Sequence, residues 1–417
     1  MTRRDVLATL PAGFFLQGSG VIKVGVIGCG GRGEAAAMNA MNAGKDIQIR
    51  AMGDLLRDRA EEKRTALKSK YPDQVDVPDS RLFGGYDCYK KVVASDVDVV
   101  VIANAAKFHP LHLKAAIDAG KHVFVEKPHA VDPAGIQMVR AAVETAKAKR
   151  LSVVSGLQSR YHPGYIDLMK RVHDGAIGRI VAIQETWLRP PYVLYPRRPN
   201  MKEIVWQGSN QYHFNWLCGD DVPQTLIHNL DRSSWALGNA APRRCYGMGG
   251  RSTLKGEIYG NVFDHHSVVY DFPDNVRVYA LCRTIDNCYN ENSSLMLGTK
   301  GQCDLLNLRI TGENPYESPG SKSKNPAYDL EHVALFDAIR KSTPINNGDY
   351  MVRSTLITIM GQLSCYTGQE ITWDKVSNSN FYFAPRPEDV HEDAEAPVKP
   401  GPDGTYPVYT PGVTKLL

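Results

Sequence analysis

The chain lacks most of the features that direct a protein toward nucleic acids, membranes or zinc. Its 49 basic and 45 acidic residues leave a formal net charge of only +4, so no nucleic acid or membrane surface is expected as a partner. No apolar run is long enough to cross a bilayer. The eight cysteines include no C-x-x-C pair and no zinc-ligand spacing, which predicts mostly buried thiols.

The chain does have enough apolar residues for two cores. With 417 residues, of which 43% are hydrophobic, it exceeds the size of one ordinary domain. Residues 21–155 alternate between strand and helix patterns, which predicts an α/β domain with a doubly wound parallel sheet of the Rossmann type. Residues 156–378 have several β-rich runs and a turn at Asp274-Asn275, which predicts an α+β domain with a large, mostly antiparallel, open sheet. The proline-rich segment 379–417 is expected to wrap around the protein or to be partly disordered.

A glycine-rich segment immediately follows the first predicted strand. Gly28-x-Gly30-x-x-Gly33 stands between a β-branched run and an alanine-rich helix pattern, which is the context of a dinucleotide-binding fingerprint. Gly28 allows the tight turn, Gly30 lets the backbone approach a pyrophosphate, and Gly33 lets helix and strand pack closely. The helix start also presents free N–H groups to phosphates. We therefore expect cofactor contacts from the whole loop, namely Gly28, Cys29, Gly30, Gly31 and Arg32.

An acidic residue follows the second predicted strand. Asp54 comes about 20 residues after Gly33, where the fingerprint places a carboxylate for the ribose hydroxyls of the adenosine. This carboxylate would repel a 2′-phosphate, so NAD is favoured over NADP, although Arg57 nearby could weaken that preference. Asn104 and His109 follow the next clear strand, at the sheet edge where ligands bind, and are also expected to contact the cofactor.

The first 20 residues differ from the rest of the chain. Arg3-Arg4 is followed by a short apolar segment at 8–16, a pattern typical of a twin-arginine export signal. We therefore expect a periplasmic or otherwise exported protein. The alternative is that residues 1–20 are a plain extension of a cytoplasmic protein.

The segment Glu126-Lys127-Pro128 ends another predicted strand at the same sheet edge. A residue before proline is biased toward extended geometry, so Lys127 should project into the crevice where a nicotinamide ring would sit. A partly desolvated lysine there can donate a hydrogen bond to a reacting hydroxyl and favour loss of its proton. Glu126 is expected to lie beside the cofactor.

Together with His228-Asn-Leu-Asp231 and the segment 368–374, these motifs resemble the Gfo/Idh/MocA oxidoreductase family. The resemblance covers residues 21–377. It implies that Lys127 and His228 flank a sugar or polyol hydroxyl over the nicotinamide and that the substrate is a small carbohydrate. It also implies a homodimer or homotetramer that pairs through the open sheet.

His228 and Asp231 lie three residues apart in a predicted helix, so they share one face. A neutral imidazole suits a base that accepts an alcohol proton, and Asp231 is expected to hold its tautomer or to contact the substrate. The sequence departs from the family at Gln224, because plain polyol dehydrogenases of the family often carry an acid four residues before this histidine. Gln224 can bind a substrate hydroxyl but cannot accept a proton, which leaves the proton path open.

Three further residues are candidate substrate contacts. Arg160 and Tyr161 follow the last strand of the first domain, with Tyr161 as a candidate acid and an interdomain packing pair as the alternative. His213 lies in a segment rich in aromatics and amides, which is typical of sugar-binding surfaces, although a structural loop fits equally. His265 and His266 are adjacent on a predicted strand and point to opposite faces, so we expect no metal site.

These observations predict an NAD-dependent oxidoreductase that acts on a secondary hydroxyl of a sugar, glycoside or cyclitol. The rival enzyme class is a redox-neutral, NAD-assisted glycosidase, which some relatives in the family represent and which the export-like N-terminus would suit. A nucleotide-binding scaffold without chemistry is the non-enzyme alternative, and the presence of both Lys127 and His228 argues against it.

Overall fold

The computed structural model of the protein describes residues 20–319 and 326–417. The predicted export segment lies outside these residues. Six strands form the first sheet, namely β1 Ile22–Ile27, β2 Ile47–Gly53, β3 Leu82–Phe83, β4 Val99–Ile102, β5 His122–Val125 and β6 Val153–Ser155. All are parallel, in the order β3-β2-β1-β4-β5-β6, which confirms the predicted Rossmann-type sheet. Its helices are α1 Gly31–Asn42, α2 Arg57–Lys70, α3 Cys88–Ala94, α4 His109–Asp118 and α5 Pro133–Ala148.

The central strand β4 shows why this sheet is covered on both faces. All four of its residues are buried, as expected for a parallel strand between two helix layers. Val100 and Ile102 belong to one apolar core, and Val99 and Val101 belong to the other. Because both faces are apolar, polar groups that bind a ligand must stand at the strand ends.

Nine strands form the second sheet, in the order β14-β13-β12-β11-β7-β10-β9-β8-β15. They are β7 Ile180–Arg189, β8 Arg244–Gly250, β9 His265–Asp271, β10 Arg277–Thr284, β11 Glu291–Gly298, β12 Gly301–Asp304, β13 Arg309–Gly312, β14 Tyr316–Glu317 and β15 Ile371–Thr372. Every pairing is antiparallel except that of β7 with β10. The predicted turn between β9 and β10 is confirmed, since Asp274 and Asn275 both adopt positive φ values of 57° and 59°.

The remaining helices are α6 Pro163–His173, α7 Glu203–Ser209, α8 Asn215–Cys218, a π-helical turn at Val222–Leu226, α9 Ile227–Ala236, α10 Ala327–Arg340, α11 Gly348–Thr367 and α12 Trp373–Ser377. The π-helical turn, α9 and α11 pack against one face of the second sheet. The other face exposes large apolar side chains, including Tyr246, Met248 and Tyr279, so the sheet is open as predicted. Within the described residues, no helix combines the length and apolarity needed to cross a membrane.

Two later segments of the chain return to the first domain. Leu335 and Phe336 of α10 belong to the same apolar core as β1 and α1. The proline-rich tail wraps around the protein, since the Phe383 carbonyl accepts a hydrogen bond from Lys107 and the Val398 carbonyl accepts one from Gln207. The two domains are therefore fixed against each other by elements that come late in the sequence.

Candidate functional site

The glycine-rich loop between β1 and α1 forms the floor of a cleft of about 770 Å³. Gly28 has a φ of +89°, and a Cβ atom there would lie 2.4 Å from the Asn104 nitrogen. A Cβ atom on Gly33 would lie 1.7 Å from the Gly28 oxygen, so these two positions require glycine. Nothing lies within 4 Å of a Cβ atom placed on Gly30 or Gly31, which leaves open space over the start of α1. The loop therefore fits the pyrophosphate of a dinucleotide.

Asp54 stands at the end of β2 on the rim of this cleft. Its carboxylate accepts hydrogen bonds from the Cys29 and Leu56 N–H groups at 2.7 and 2.9 Å, which ties the loop to the strand end. Burial raises the pKa of Asp54, and Arg59 at 3.6 Å opposes that shift. The structure corrects the expectation for Arg57, which pairs with Glu61 on the surface while Arg59 lines the cleft instead.

Asn104 lies at the end of β4 and lines the cleft as predicted. Its Oδ1 atom is buried and has no hydrogen-bond partner among the described residues, so it is available to a bound ligand. His109 corrects a second expectation. Its two ring nitrogens face the Pro128 and Asn104 carbonyls at 2.7 and 2.9 Å, so it links two strand ends and is not among the residues that line the cleft.

Lys127 lies in an adjoining cavity of about 320 Å³, which shares Arg32, Asn104 and Tyr212 with the dinucleotide cleft. Its Nζ atom donates a hydrogen bond to the Gln224 carbonyl at 2.7 Å. Burial lowers the pKa of Lys127 to about 8, with Glu126 opposing the shift and Arg189 adding to it. A lysine in this range exchanges its proton near neutral pH, as a group involved in proton transfer must.

Glu126 and Arg32 both line the cavity around Lys127, and Arg32 lines the dinucleotide cleft as well. Arg32 donates a hydrogen bond to the Glu126 carboxylate and lies 3.6 Å from Glu331. Its guanidinium also lies 4.7 Å from the centre of the Tyr328 ring. The predicted positions of Glu126 and Arg32 beside the cofactor cleft agree with this geometry, whereas Glu331 and Tyr328 come from α10 and were not anticipated.

His228 is buried in the first turns of α9, directly after the π-helical turn. The Gln224 carbonyl that binds Lys127 belongs to the preceding turn of the same helix, although His228 itself is not among the residues that line the Lys127 cavity. Burial lowers the pKa of His228 well below its usual value, and the positive charge of Lys127 lowers it further. Its Nδ1 atom has no hydrogen-bond partner among the described residues. His228 is therefore a neutral imidazole with a free ring nitrogen.

Asp231 does not act on His228. Its carboxylate accepts two hydrogen bonds from Arg160 at 2.8 and 3.0 Å and one from the Ser354 hydroxyl at 2.7 Å. The structure thus corrects the expected substrate or tautomer role of Asp231 and the expected substrate contact of Arg160, because each satisfies the other in a buried ion pair. Tyr161 also lies outside the cavities described above, and its hydroxyl donates to Asn347 at 2.9 Å.

A narrow third cavity lies in the second domain, next to the Lys127 cavity. It shares Tyr212 and Gln224 with the Lys127 cavity, so the three spaces form one continuous groove. His213, a candidate substrate contact, lines this cavity, and burial lowers its pKa to about 4. Asp221 and Tyr192 also line it and were missed by the sequence analysis. The only sequence signal for Asp221 was the acidic pair Asp220-Asp221 just ahead of the His228 helix.

Comparison with known proteins identifies the first domain. Residues 22–155 match the profile of the Gfo/Idh/MocA oxidoreductase family, described as an NAD-binding Rossmann fold. An inositol 2-dehydrogenase from Acidothermus cellulolyticus is 34% identical over 235 residues, which are 56% of this chain and 58% of that protein. An inositol 2-dehydrogenase/D-chiro-inositol 3-dehydrogenase from Halalkalibacterium halodurans is 29% identical over 217 residues, or 52% and 53%. The chain spans about half the length of the curated relatives it matches.

Solved structures share the two-domain fold. GenD2 from gentamicin A biosynthesis, in complex with NAD, superposes with a TM-score of 0.64 at 18% identity and covers 88% of this chain and 99% of that one. The aldose-aldose oxidoreductase from Caulobacter crescentus, complexed with glycerol, gives a TM-score of 0.64 at 18% identity over 84% and 99%. At this identity the likeness establishes the fold alone.

Proposed function

We propose that this chain, whose residues 22–155 are an NAD-binding domain of the Gfo/Idh/MocA oxidoreductase family, oxidises a secondary hydroxyl of a cyclitol or sugar. One observation carries the proposal. Lys127, at the end of a nucleotide-domain strand, donates to the backbone of the turn before His228, in a cavity continuous with the dinucleotide cleft. We infer from this contact, and from the effect of the Lys127 charge on the pKa of His228, that an ammonium group and a neutral imidazole from separate domains act on one substrate hydroxyl.

Each of the two groups has one task. Bound NAD would accept hydride from the carbinol carbon of the substrate. Lys127 exchanges the Gln224 carbonyl for the substrate hydroxyl oxygen and stabilises the negative charge that develops there. The free ring nitrogen of His228 accepts the hydroxyl proton, because its depressed pKa keeps it neutral at pH 7. The side-chain amide of Gln224 cannot accept a proton. The proton that His228 takes up therefore cannot pass to a carboxylate at position 224.

The substrate class follows from the groove and from the relatives. Tyr192 and Tyr212 stack with ring centroids 4.5 Å apart, and both line the third cavity beside Gln224 and His213. Aromatic faces next to amide and imidazole groups suit a ring that carries several hydroxyls. The relatives are named as inositol dehydrogenases, which favours net oxidation over the glycosidase cycle.

The test is turnover by the purified full chain with NAD and a panel of inositols and glycosides. We expect NADH to form in proportion to one cyclitol or sugar. Release of aglycone over many turnovers without added NAD would instead show the redox-neutral glycosidase. NAD bound to the purified protein, released by denaturation and measured, together with no turnover of any kind, would favour the scaffold.

We further propose that the protein is exported by the twin-arginine route and pairs with a second copy through its open sheet. The motif Arg3-Arg4 supports the first proposal. The exposed side chains of Tyr246, Met248 and Tyr279 support the second, because an apolar sheet face of this kind is covered in a stable assembly. Cell fractionation with an Arg3→Lys, Arg4→Lys variant tests export, and the solution mass of Met248→Glu tests pairing.

A further inference from the structure

Three side chains that can bind a metal converge beneath the third cavity. Asp221, His266 and Cys282 each offer one ligand atom, and these atoms all lie within 4.8 Å of one another. All three residues are buried. The cluster is separate from Lys127 and His228, and the proposed hydride transfer does not use it.

The fold explains why residues so far apart in sequence meet. His266 on β9 and Cys282 on β10 are direct cross-strand partners, so their side chains stand next to each other on one face of the sheet. That face is the one covered by helices, and Asp221 approaches it from the start of the π-helical turn. The expectation of no metal site rested on cysteine spacing and on His265 and His266, which do point to opposite faces. Neither argument pairs a histidine with a cysteine on the neighbouring strand.

The surroundings of His266 match those of a metal-binding imidazole. Its Nδ1 atom lies 3.6 Å from the Cys282 sulfur. Its other nitrogen, Nε2, lies 3.7 Å from the Asp220 carboxylate. A ligand histidine usually faces the metal with one nitrogen and donates the N–H of the other to an acceptor such as a carboxylate, and Asp220 can fill that role. The Gln362 amide nitrogen, 3.1 Å from Nε2, is a donor and would have to turn away.

Asp221 provides a second, independent observation that points to a cation. Its Oδ1 atom accepts hydrogen bonds from Arg189 at 3.1 Å and from the Thr225 hydroxyl at 2.5 Å. Its Oδ2 atom is buried and has no hydrogen-bond partner among the described residues. A buried carboxylate oxygen without a partner is costly, and a cation next to it would remove that cost.

We propose that Asp221, His266 and Cys282 bind one divalent transition-metal ion of the zinc class. A carboxylate, an imidazole and a thiolate are ligands that zinc accepts, and three protein ligands leave a fourth position for water or a substrate oxygen. Asp221 also lines the third cavity, so that fourth ligand can reach the metal from the substrate groove. Arg189 opposes cation binding, so the affinity is lower than that of a closed structural zinc site.

The experiment titrates Co²⁺ into the full chain after treatment with a chelator. Cobalt bound to a thiolate gives an intense charge-transfer absorption, so we expect one equivalent to produce that band and zinc to displace it. Cys282→Ser should abolish the band, and His266→Gln and the isosteric Asp221→Asn should each weaken binding by roughly tenfold or more. The matched controls are His265→Gln, on the opposite face of the same strand, and Cys288→Ser, an exposed thiol.

Two outcomes would overturn the proposal. One is the absence of the band in the wild-type protein at millimolar cobalt. The other is a band that survives Cys282→Ser, or a cobalt affinity that is unchanged in Asp221→Asn, in protein that circular dichroism shows to be folded, or a band that Cys288→Ser removes. The readout is independent of NADH formation, so failure of the proposed oxidoreductase activity would leave this result unaffected.

Discussion

Two buried histidines of the second domain, His228 and His266, have opposite electrostatic surroundings. The Nδ1 atom of His228 has no hydrogen-bond partner in the part of the chain that the structure describes, and the positive charge of Lys127 lowers its pKa. His266 faces the Cys282 thiol on one side and the Asp220 carboxylate on the other. A nearby cation keeps an imidazole neutral and ready to accept a proton, whereas a thiol and carboxylates provide the partners of a metal ligand. The same residue type in the same domain is thus suited to two different tasks.

The largest expected effect comes from changing Lys127 or His228. Lys127→Met keeps most of the side-chain length but removes the donor to the substrate oxygen, and His228→Gln removes the base. We expect each change to lower kcat by roughly 10²–10⁴-fold while the purified protein still binds NAD. Turnover with the preferred cyclitol and NAD binding by fluorescence measure the two quantities.

The control for Lys127 is Lys114→Met, an exposed lysine of α4 that pairs with Asp118 on the surface. It should leave turnover within about twofold of wild type, since surface changes of this kind rarely matter. Full activity in Lys127→Met with NAD still bound would show that Lys127 takes no part in the reaction. The catalytic role assigned to His228 beside the Lys127 cation would then be wrong.

The next effect is the pH dependence of the wild-type protein. The pKa of Lys127 lies at about 8 because burial disfavours its charge, so the ammonium group is lost as the pH rises through that value. We expect kcat/KM to fall about tenfold per pH unit above it, or about 100-fold by pH 10. His228 should add no loss between about pH 6 and 8, because its pKa lies well below 6.5. A rate that falls between pH 7 and 6 would show that His228 is protonated there.

Gln224→Glu should make the surroundings of His228 more like those of His266. The new carboxylate would share the cavity of Lys127 and favour its ammonium form, which raises the pKa of Lys127 by about one unit or more. The alkaline limit of activity should move up accordingly, with a gain of about fivefold near pH 9. Gln and Glu have the same shape, so wild type is the steric control. An unchanged alkaline limit would place that limit on a group other than Lys127.

The part of the site that belongs to the first domain could be predicted from the sequence, because its residues follow the ends of strands. Gly28, Asp54, Asn104 and Lys127 each follow a β-branched run, and parallel strands bring such positions to one edge of the sheet. The same rule does not say which side chains are already bound by their neighbours. That is why Arg57 and His109 were assigned to the cofactor although they bind Glu61 and two backbone carbonyls.

The part of the site that belongs to the second domain depends on strand register and on contacts between residues far apart in the sequence, which a single sequence does not determine. The strands β9 and β10 were recognised, but the register that places Cys282 opposite His266 is a property of their pairing. The π-helical turn before α9 was likewise read as ordinary helix, and Asp221 at its start was not considered. Asp231 was assigned to His228 from spacing alone, whereas its partner Arg160 comes from the first domain's last loop.

The smallest expected effect tests where the functional groove ends. Tyr161 was predicted to contact the substrate, but its hydroxyl donates to Asn347, and burial raises its pKa to about 12, too high for an acid at neutral pH. Tyr161→Phe should therefore lower the free energy of unfolding by about 1 kcal/mol, the net worth of one hydrogen bond. Turnover should stay within about twofold of wild type. A tenfold rise in KM for the cyclitol without a change in stability would show that the substrate-binding groove reaches Tyr161.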